Sequence, residues 1–274
     1  MNYSEVTVTT NEENVEILQA LFGQFEFDSF VDTENGFDAY IVSELLNNTV
    51  NKELKILQSQ FNFTYTSKEL ENKNWNEEWE KNFHPIVIEN KCLIRADFHP
   101  KNPNVQHEVV ITPKMSFGTG HHATTYQMVD KLFDLDIKDK SVLDMGCGTG
   151  VLAILAKKLG SAYTVGIDID EWSFTNSIEN IERNDTQDIE IKQGDATLLG
   201  NYQKFDVILA NINRNILLND MKHYASVLQK NGDILFSGFY MEDIPLIVDE
   251  AKKNNFTLVD QSERDNWSLL HFQA

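Results

Sequence analysis

Two glycine-rich stretches and a set of polar residues at predicted strand ends hold most of the chemistry this chain could perform. The first stretch, MSFGTGHHATT from Met115 to Thr125, crowds glycines, histidines and threonines together just ahead of a helical pattern. A metal site would use His121 and His122, but adjacent side chains diverge in most backbones, and no Cys or His cluster nearby supplies further ligands. No metal is expected. A P-loop needs Lys and then Ser or Thr after its glycines, and here His121 follows Gly120. A loop that closes over a ligand fits better. Gly118 and Gly120 permit a tight turn, and Thr124 or Thr125 is placed to cap the following helix, whose orphan N–H groups favour a carboxylate. His121 and His122 then serve shape and packing, or touch substrate.

The second stretch, SVLDMGCGTGVLAILAKKLG, reads as an apolar strand, a glycine turn and an amphipathic helix ending at Gly160. Gly146, Gly148 and Gly150 are spaced G-x-G-x-G, whereas a dinucleotide fingerprint needs G-x-G-x-x-G and therefore glycine where Val151 stands. The missing side chains let backbone approach a ligand, and the helix N-terminus faces a negative group. Asp168, closing a second strand, is placed to accept both hydroxyls of an adenosine ribose, which disfavours a 2′-phosphate. Asp195 in QGDA is placed for the adenine amine, and Asn211 in LANIN projects into the cleft beside the cofactor. Asp168 could instead be a loop acid or an N-cap, but Asp144, Asp195 and Asn211 at other strand ends count against that.

These residues need a scaffold. From Ser141 onward strands and helices alternate, which predicts a doubly wound, mostly parallel α/β sheet with right-handed crossovers and a ligand across the strands' carboxyl ends. RNILLNDMKHYASVLQKNG reads as one helix, and FTLVDQSERDNWSLLHFQA as a closing antiparallel hairpin. HPIVIENKCLIRAD gives two strands around Glu89 and Asn90, and HEVVITP a third. The first seventy residues follow β-α-β-β-α-β, the order of a small α+β ferredoxin-like sandwich. Within them Asn11 is a candidate N-cap ahead of Val15, Leu18, Leu21 and Phe22 on one helical face, and Asn35-Gly36 is a candidate type I′ hairpin turn. No catalytic cluster occurs there, so a recognition module is expected. Trp75, Trp79 and Phe83, spaced by four, make an aromatic stripe on a short helix. The predicted organisation is residues 1–71 for recognition, 72–84 as a linker helix and 85–274 as the catalytic domain.

Composition narrows the partners. The chain carries 43 acidic against 23 basic residues, a net charge of −20, which disfavours nucleic acid and favours a basic protein or peptide, or serves solubility alone. Two cysteines far apart, no secretory signal and no apolar run of membrane-crossing length lead to the expectation of a cytoplasmic protein with no membrane partner. Nothing requires a second subunit, and a monomer is expected.

VLDMGCGTGVLA, GIDID, QGDA and LANI together resemble the class I S-adenosylmethionine-dependent methyltransferases. FGTGHHATT narrows the resemblance, over essentially the full length, to the PrmA family, which methylates large-subunit ribosomal protein L eleven (L11). The resemblance implies S-adenosyl-L-methionine as cofactor, with Thr125, Gly146, Asp168 and Asn211 at cofactor-contacting positions; Gly148, Gly150 and Asp195 complete the expected binding set. It also implies repeated methylation of lysine ε-amines and the N-terminal α-amine of L11; because an amine must be neutral to attack, the Asn211 carbonyl is expected to orient it, with desolvation or water removing its proton. Asn211-Ile212-Asn213-Arg214 lacks the Asn-Pro-Pro-aromatic pattern of enzymes that methylate glutamine or adenine. The alternatives are a class I methyltransferase of another protein, a small molecule or RNA, and a binding protein that kept the fold without catalysis.

Overall fold

A computed structural model describes residues 3–70, 83–114 and 116–274. The chain divides into two compact units, Met1–Phe83 and His84–Ala274. Most of the aromatic linker stripe, including Trp75 and Trp79, lies outside the described residues. No helix among the described residues is long and apolar enough to cross a membrane.

The first unit runs β1 (Tyr3–Thr10), α1 (Glu12–Phe22), β2 (Ser29–Thr33), β3 (Gly36–Val42), α2 (Asn48–Gln60) and β4 (Phe63–Glu69). Its antiparallel sheet has the order β2-β3-β1-β4, as a ferredoxin-like sandwich requires. Alternation in β1 buries Val6 and Val8 against Leu18 and Phe22 of α1 and Leu54 of α2. One local expectation is met in position only, and another is corrected. Asn11 occupies the N-cap position, but its side chain makes no cap hydrogen bond. The hairpin turns at Glu34-Asn35, neither with positive φ, since Thr33 pairs with Gly36. Gly36 is needed for a different reason: a Cβ there would lie 2.1 Å from the Val8 carbonyl oxygen on the neighbouring strand.

The second unit opens with a three-stranded sheet, β5 (Ile86–Ile88), β6 (Cys92–Arg95) and β7 (His107–Val110). Its main sheet has seven strands: β8 (Ser141–Met145), β9 (Tyr163–Asp168), β10 (Glu190–Gln193), β11 (Phe205–Asn211), β12 (Leu228–Tyr240), β13 (Thr257–Arg264) and β14 (Trp267–Gln273). The order is β10-β9-β8-β11-β12-β14-β13, parallel through β12, with β14 antiparallel between β12 and β13. The helices are α3 (Ala123–Leu132), α4 (Val151–Lys158), α5 (Glu171–Arg183), α6 (Arg214–Val227) and α7 (Ile244–Lys253). Strand order reverses between β8 and β11, the place where such sheets open a crevice. One helix expectation is shortened: α6 stops at Val227 and QKNG belongs to β12, where Asn231 adopts positive φ and Gly232 packs against the Asp206 carbonyl.

Candidate active site

Between the carboxyl ends of β8 and β11 lies a cavity of about 290 Å³, at the low end of ligand-site volumes. Gly146, Gly148, Asp168, Asp195 and Asn211 all line it. Two expected members do not: Gly150 caps α4 in the left-handed conformation with Ser177 packed over it, and Thr125 is buried in the first turn of α3. The Thr125 hydroxyl is buried without a hydrogen-bond partner among the described residues.

The glycine turn is built by close packing within the protein as much as by space for a ligand. A Cβ on Gly146 would lie 2.2 Å from Ile212 Cγ2, and one on Gly148 would lie 2.3 Å from the Phe117 carbonyl oxygen. The turn and the 116–122 segment therefore interlock. The Thr149 N–H donates to the Phe117 carbonyl at 2.8 Å, and the Thr149 hydroxyl donates to the Gly118 carbonyl at 2.8 Å. Phe117 lines the cavity and stays 49% exposed. The N-cap of α3 is His122, not Thr124 or Thr125: its Nδ1 accepts from the Thr124 N–H at 3.3 Å and lies 2.8 Å from the Thr124 hydroxyl. Burial lowers the His122 pKa, which keeps the ring neutral as the acceptor role requires. His121 is exposed, with Thr119 Oγ1 3.2 Å from its Nδ1. Among the described residues, no three His, Cys, Asp or Glu side chains converge as a metal site.

Asp168 ends β9 with both carboxylate oxygens fixed by backbone. Oδ2 accepts the Gly148 N–H at 2.8 Å, and Oδ1 accepts the Asp170 N–H at 3.0 Å. Each oxygen keeps a lone pair for a further donor, which suits a vicinal diol. Asp195 is the N-cap of a short 3₁₀ turn, Ala196–Asn201, and the Thr197 hydroxyl and N–H hold its carboxyl below the ordinary range. Asn211 ends β11; its Oδ1 is buried with no partner among the described residues, an orphan acceptor at the cavity wall. Asn213, two residues on, is spent on capping α6 through the Ile216 N–H. Asp144 lies beneath the site, not in it. Its Oδ2 accepts the Ala153 N–H at 3.1 Å while burial pushes the carboxyl up to about 7.

Several lining residues escape sequence reasoning: Phe117, Ile169, Ser173, Ile212, Ile216 and Asp220. Helical spacing puts Ile216 and Asp220 on one face of α6, but no sequence signal says which face turns to the cavity. Burial raises the Asp220 carboxyl, and the Asp195 charge pushes the same way. Thr149 did carry a signal, a polar residue held between two glycines. A carboxylate with two free lone pairs, an orphan amide oxygen and a glycine turn backed by a helix N-terminus fit an adenosyl amino-acid cofactor.

The family profile described as ribosomal protein L11 methyltransferase (PrmA) matches residues 2–274. The chain is 48% identical to the ribosomal protein L11 methyltransferase of Bacteroides thetaiotaomicron, over 99% of each chain. It is 46% identical to that of Porphyromonas gingivalis, over 96% of this chain and 92% of the relative. Among solved structures, ribosomal protein L11 methylase from Lactobacillus delbrueckii subsp. bulgaricus superposes with a TM-score of 0.65 at 29% identity, covering 69% of this chain and 98% of that one.

Proposed function

The chain belongs to the ribosomal protein L11 methyltransferase (PrmA) family, and from that premise we propose that it transfers methyl groups from S-adenosyl-L-methionine to lysine ε-amines and the N-terminal α-amine of L11. The observation that carries this is the orphan Asn211 Oδ1 at the wall of a cavity that Asp168 also lines. The cofactor, when bound, supplies a methyl group activated by a sulfonium; the chain supplies position and polarity. Asp168 accepts the ribose diol, Gly146 and Gly148 of the glycine turn lie along the cofactor, and Asp195 takes the adenine amine. Thr125 sits in the first turn of α3, where the helix N-terminus favours a carboxylate.

An amine must lose a proton before it attacks, and a free lysine titrates near ~10.4 and an α-amine near ~8. A partly dry cavity lowers those values by penalising the cation. Asn211 Oδ1 then accepts an N–H of the neutral amine, which aims its lone pair along the line of displacement. Water takes the proton, since the lining residues include carboxylates but no histidine or lysine. The net charge of −20 suits a basic ribosomal protein, encountered as a monomer in the cytoplasm. The test is incubation of the pure protein with methyl-labelled S-adenosylmethionine and isolated L11. Label is expected on lysine and the N-terminus of L11; label on a small molecule or RNA and none on L11 would overturn the assignment.

A further inference from the structure

We propose that Phe117, Trp267 and Tyr240 form an aromatic wall, running outward from the cavity that Phe117 and Asn211 line, that holds the methylated ammonium of the substrate against its ring faces. The proposal rests on amine methylation as proposed above, and it concerns what happens to the side chain between and after methyl transfers. Four rings run in sequence from the cavity outward. Phe117, a lining residue, lies 5.1 Å from the His122 ring; His122 lies 4.5 Å from Trp267, and Trp267 lies 4.1 Å from Tyr240.

Strand register fixes this wall to the site. Asn211 pairs with Ser237 of β12, and Ser237 pairs with Leu269 of β14. Tyr240 and Trp267, themselves paired, extend past that row at the same end of the sheet. The Ile212 N–H donates to the Ser237 carbonyl at 3.1 Å, and only a glycine fits at 238, where a Cβ would lie 2.4 Å from the Ile212 oxygen. The rings come from three distant segments and are inclined at 61°, 68° and 34° in turn, so their faces point in more than one direction. Phe117 and Tyr240 remain 49% and 42% exposed, which leaves ring surface open to a ligand.

The chemistry of the substrate calls for such a surface. Each added methyl group removes an N–H, and a trimethylammonium has none left for Asn211 Oδ1 to accept. A weakly hydrated cation is instead attracted to aromatic faces within about 6 Å of the ring centroid. His122 accepts through Nδ1 and adds no positive charge to repel it.

The experiment uses the full chain saturated with S-adenosylhomocysteine and two probes, Nα-acetyl-Nε-trimethyllysine methylamide and its neutral tert-butyl isostere. The cation should bind about fivefold tighter than the isostere. Trp267→Leu and Tyr240→Leu should remove that preference, and Trp267→Phe and Tyr240→Phe should keep it. Equal binding of the two probes, or a preference that survives the leucine substitutions, would overturn the wall. In parallel, intact-mass analysis of L11 at matched total methyl transfer should shift from tri- and dimethyl toward monomethyl product in the leucine variants. A wild-type protein that prefers the cation yet leaves L11 unmodified counts against the L11 assignment and not against the wall.

Discussion

The two ends of the parallel sheet differ in a way that volume alone would misjudge. The amino-terminal end holds the larger depression, about 890 Å³, lined by Ser141, Tyr163, Glu190, Tyr202 and Lys204 among others. Several of its buried or half-buried polar groups are spent within the protein. Tyr163 and Tyr202 both donate to Glu190, at 2.7 and 3.1 Å, and Ser141 donates through backbone and side chain to Asp206. The carboxyl end holds a cavity a third of that size, yet keeps an orphan acceptor on Asn211 and a carboxylate with spare lone pairs on Asp168. Unspent hydrogen-bonding capacity near buried backbone, more than empty space, marks the end suited to a ligand.

The comparison is most easily broken at Asp168. Asp168→Ala removes two charge-assisted acceptors and the partner of the Gly148 N–H, so S-adenosylhomocysteine binding measured by calorimetry should weaken by about 300-fold, roughly 3–4 kcal/mol. An unchanged affinity would remove the reason for favouring this end.

Asp144 gives a pH test with a defined sign. Its carboxyl titrates at 3.8 without the fold and is pushed up to about 7 by burial, helped by the nearby Asp168 charge, so the folded state holds the proton more tightly in that window. Stability is therefore greatest below the unfolded value and falls as pH rises toward 7. Asp144→Asn keeps an acceptor for the Ala153 N–H, and should raise Tm at pH 8 while changing it little at pH 4. The ceiling is roughly 4 kcal/mol at ~1.4 kcal/mol per unit. A parallel fall of Tm with pH in both proteins would place the titrating group elsewhere.

Asn211→Ala sharpens the comparison by separating alignment from binding. Methyl transfer to L11 should fall about a hundredfold in kcat, about 2.7 kcal/mol, with cofactor affinity changed much less. Equal losses in both would make Asn211 a cofactor contact only. The smallest effect is expected at the opposite end. Glu190→Gln should cost roughly 1 kcal/mol of stability through the two tyrosines and leave cofactor affinity within about twofold. If it weakens the cofactor as Asp168→Ala does, the two ends are not independent.

How legible each part was depended on how local its cause was. The five parallel strands, the glycine turn and the polar residues at strand ends could be read because apolar periodicity and glycine spacing are written in short windows. The hairpin at Glu34-Asn35 was misplaced by a residue because Gly36 answers to Val8 across the sheet, not to the turn. The α3 cap went to His122 instead of a threonine because the Phe117 and Trp267 rings hold that imidazole in place.

By itself the sequence determined which elements form, and which strand ends carry Asp168, Asp195 and Asn211, since those follow from neighbours along the chain. Only the tertiary structure decided that Thr149 fastens the 116–122 segment to the glycine turn, that Ile212 fills the place of a Gly146 side chain, and that Asp144 lies below the cavity while Asp220 reaches it. Those outcomes depend on contacts between residues tens of positions apart, which exist only once the sheet has brought its strand ends together.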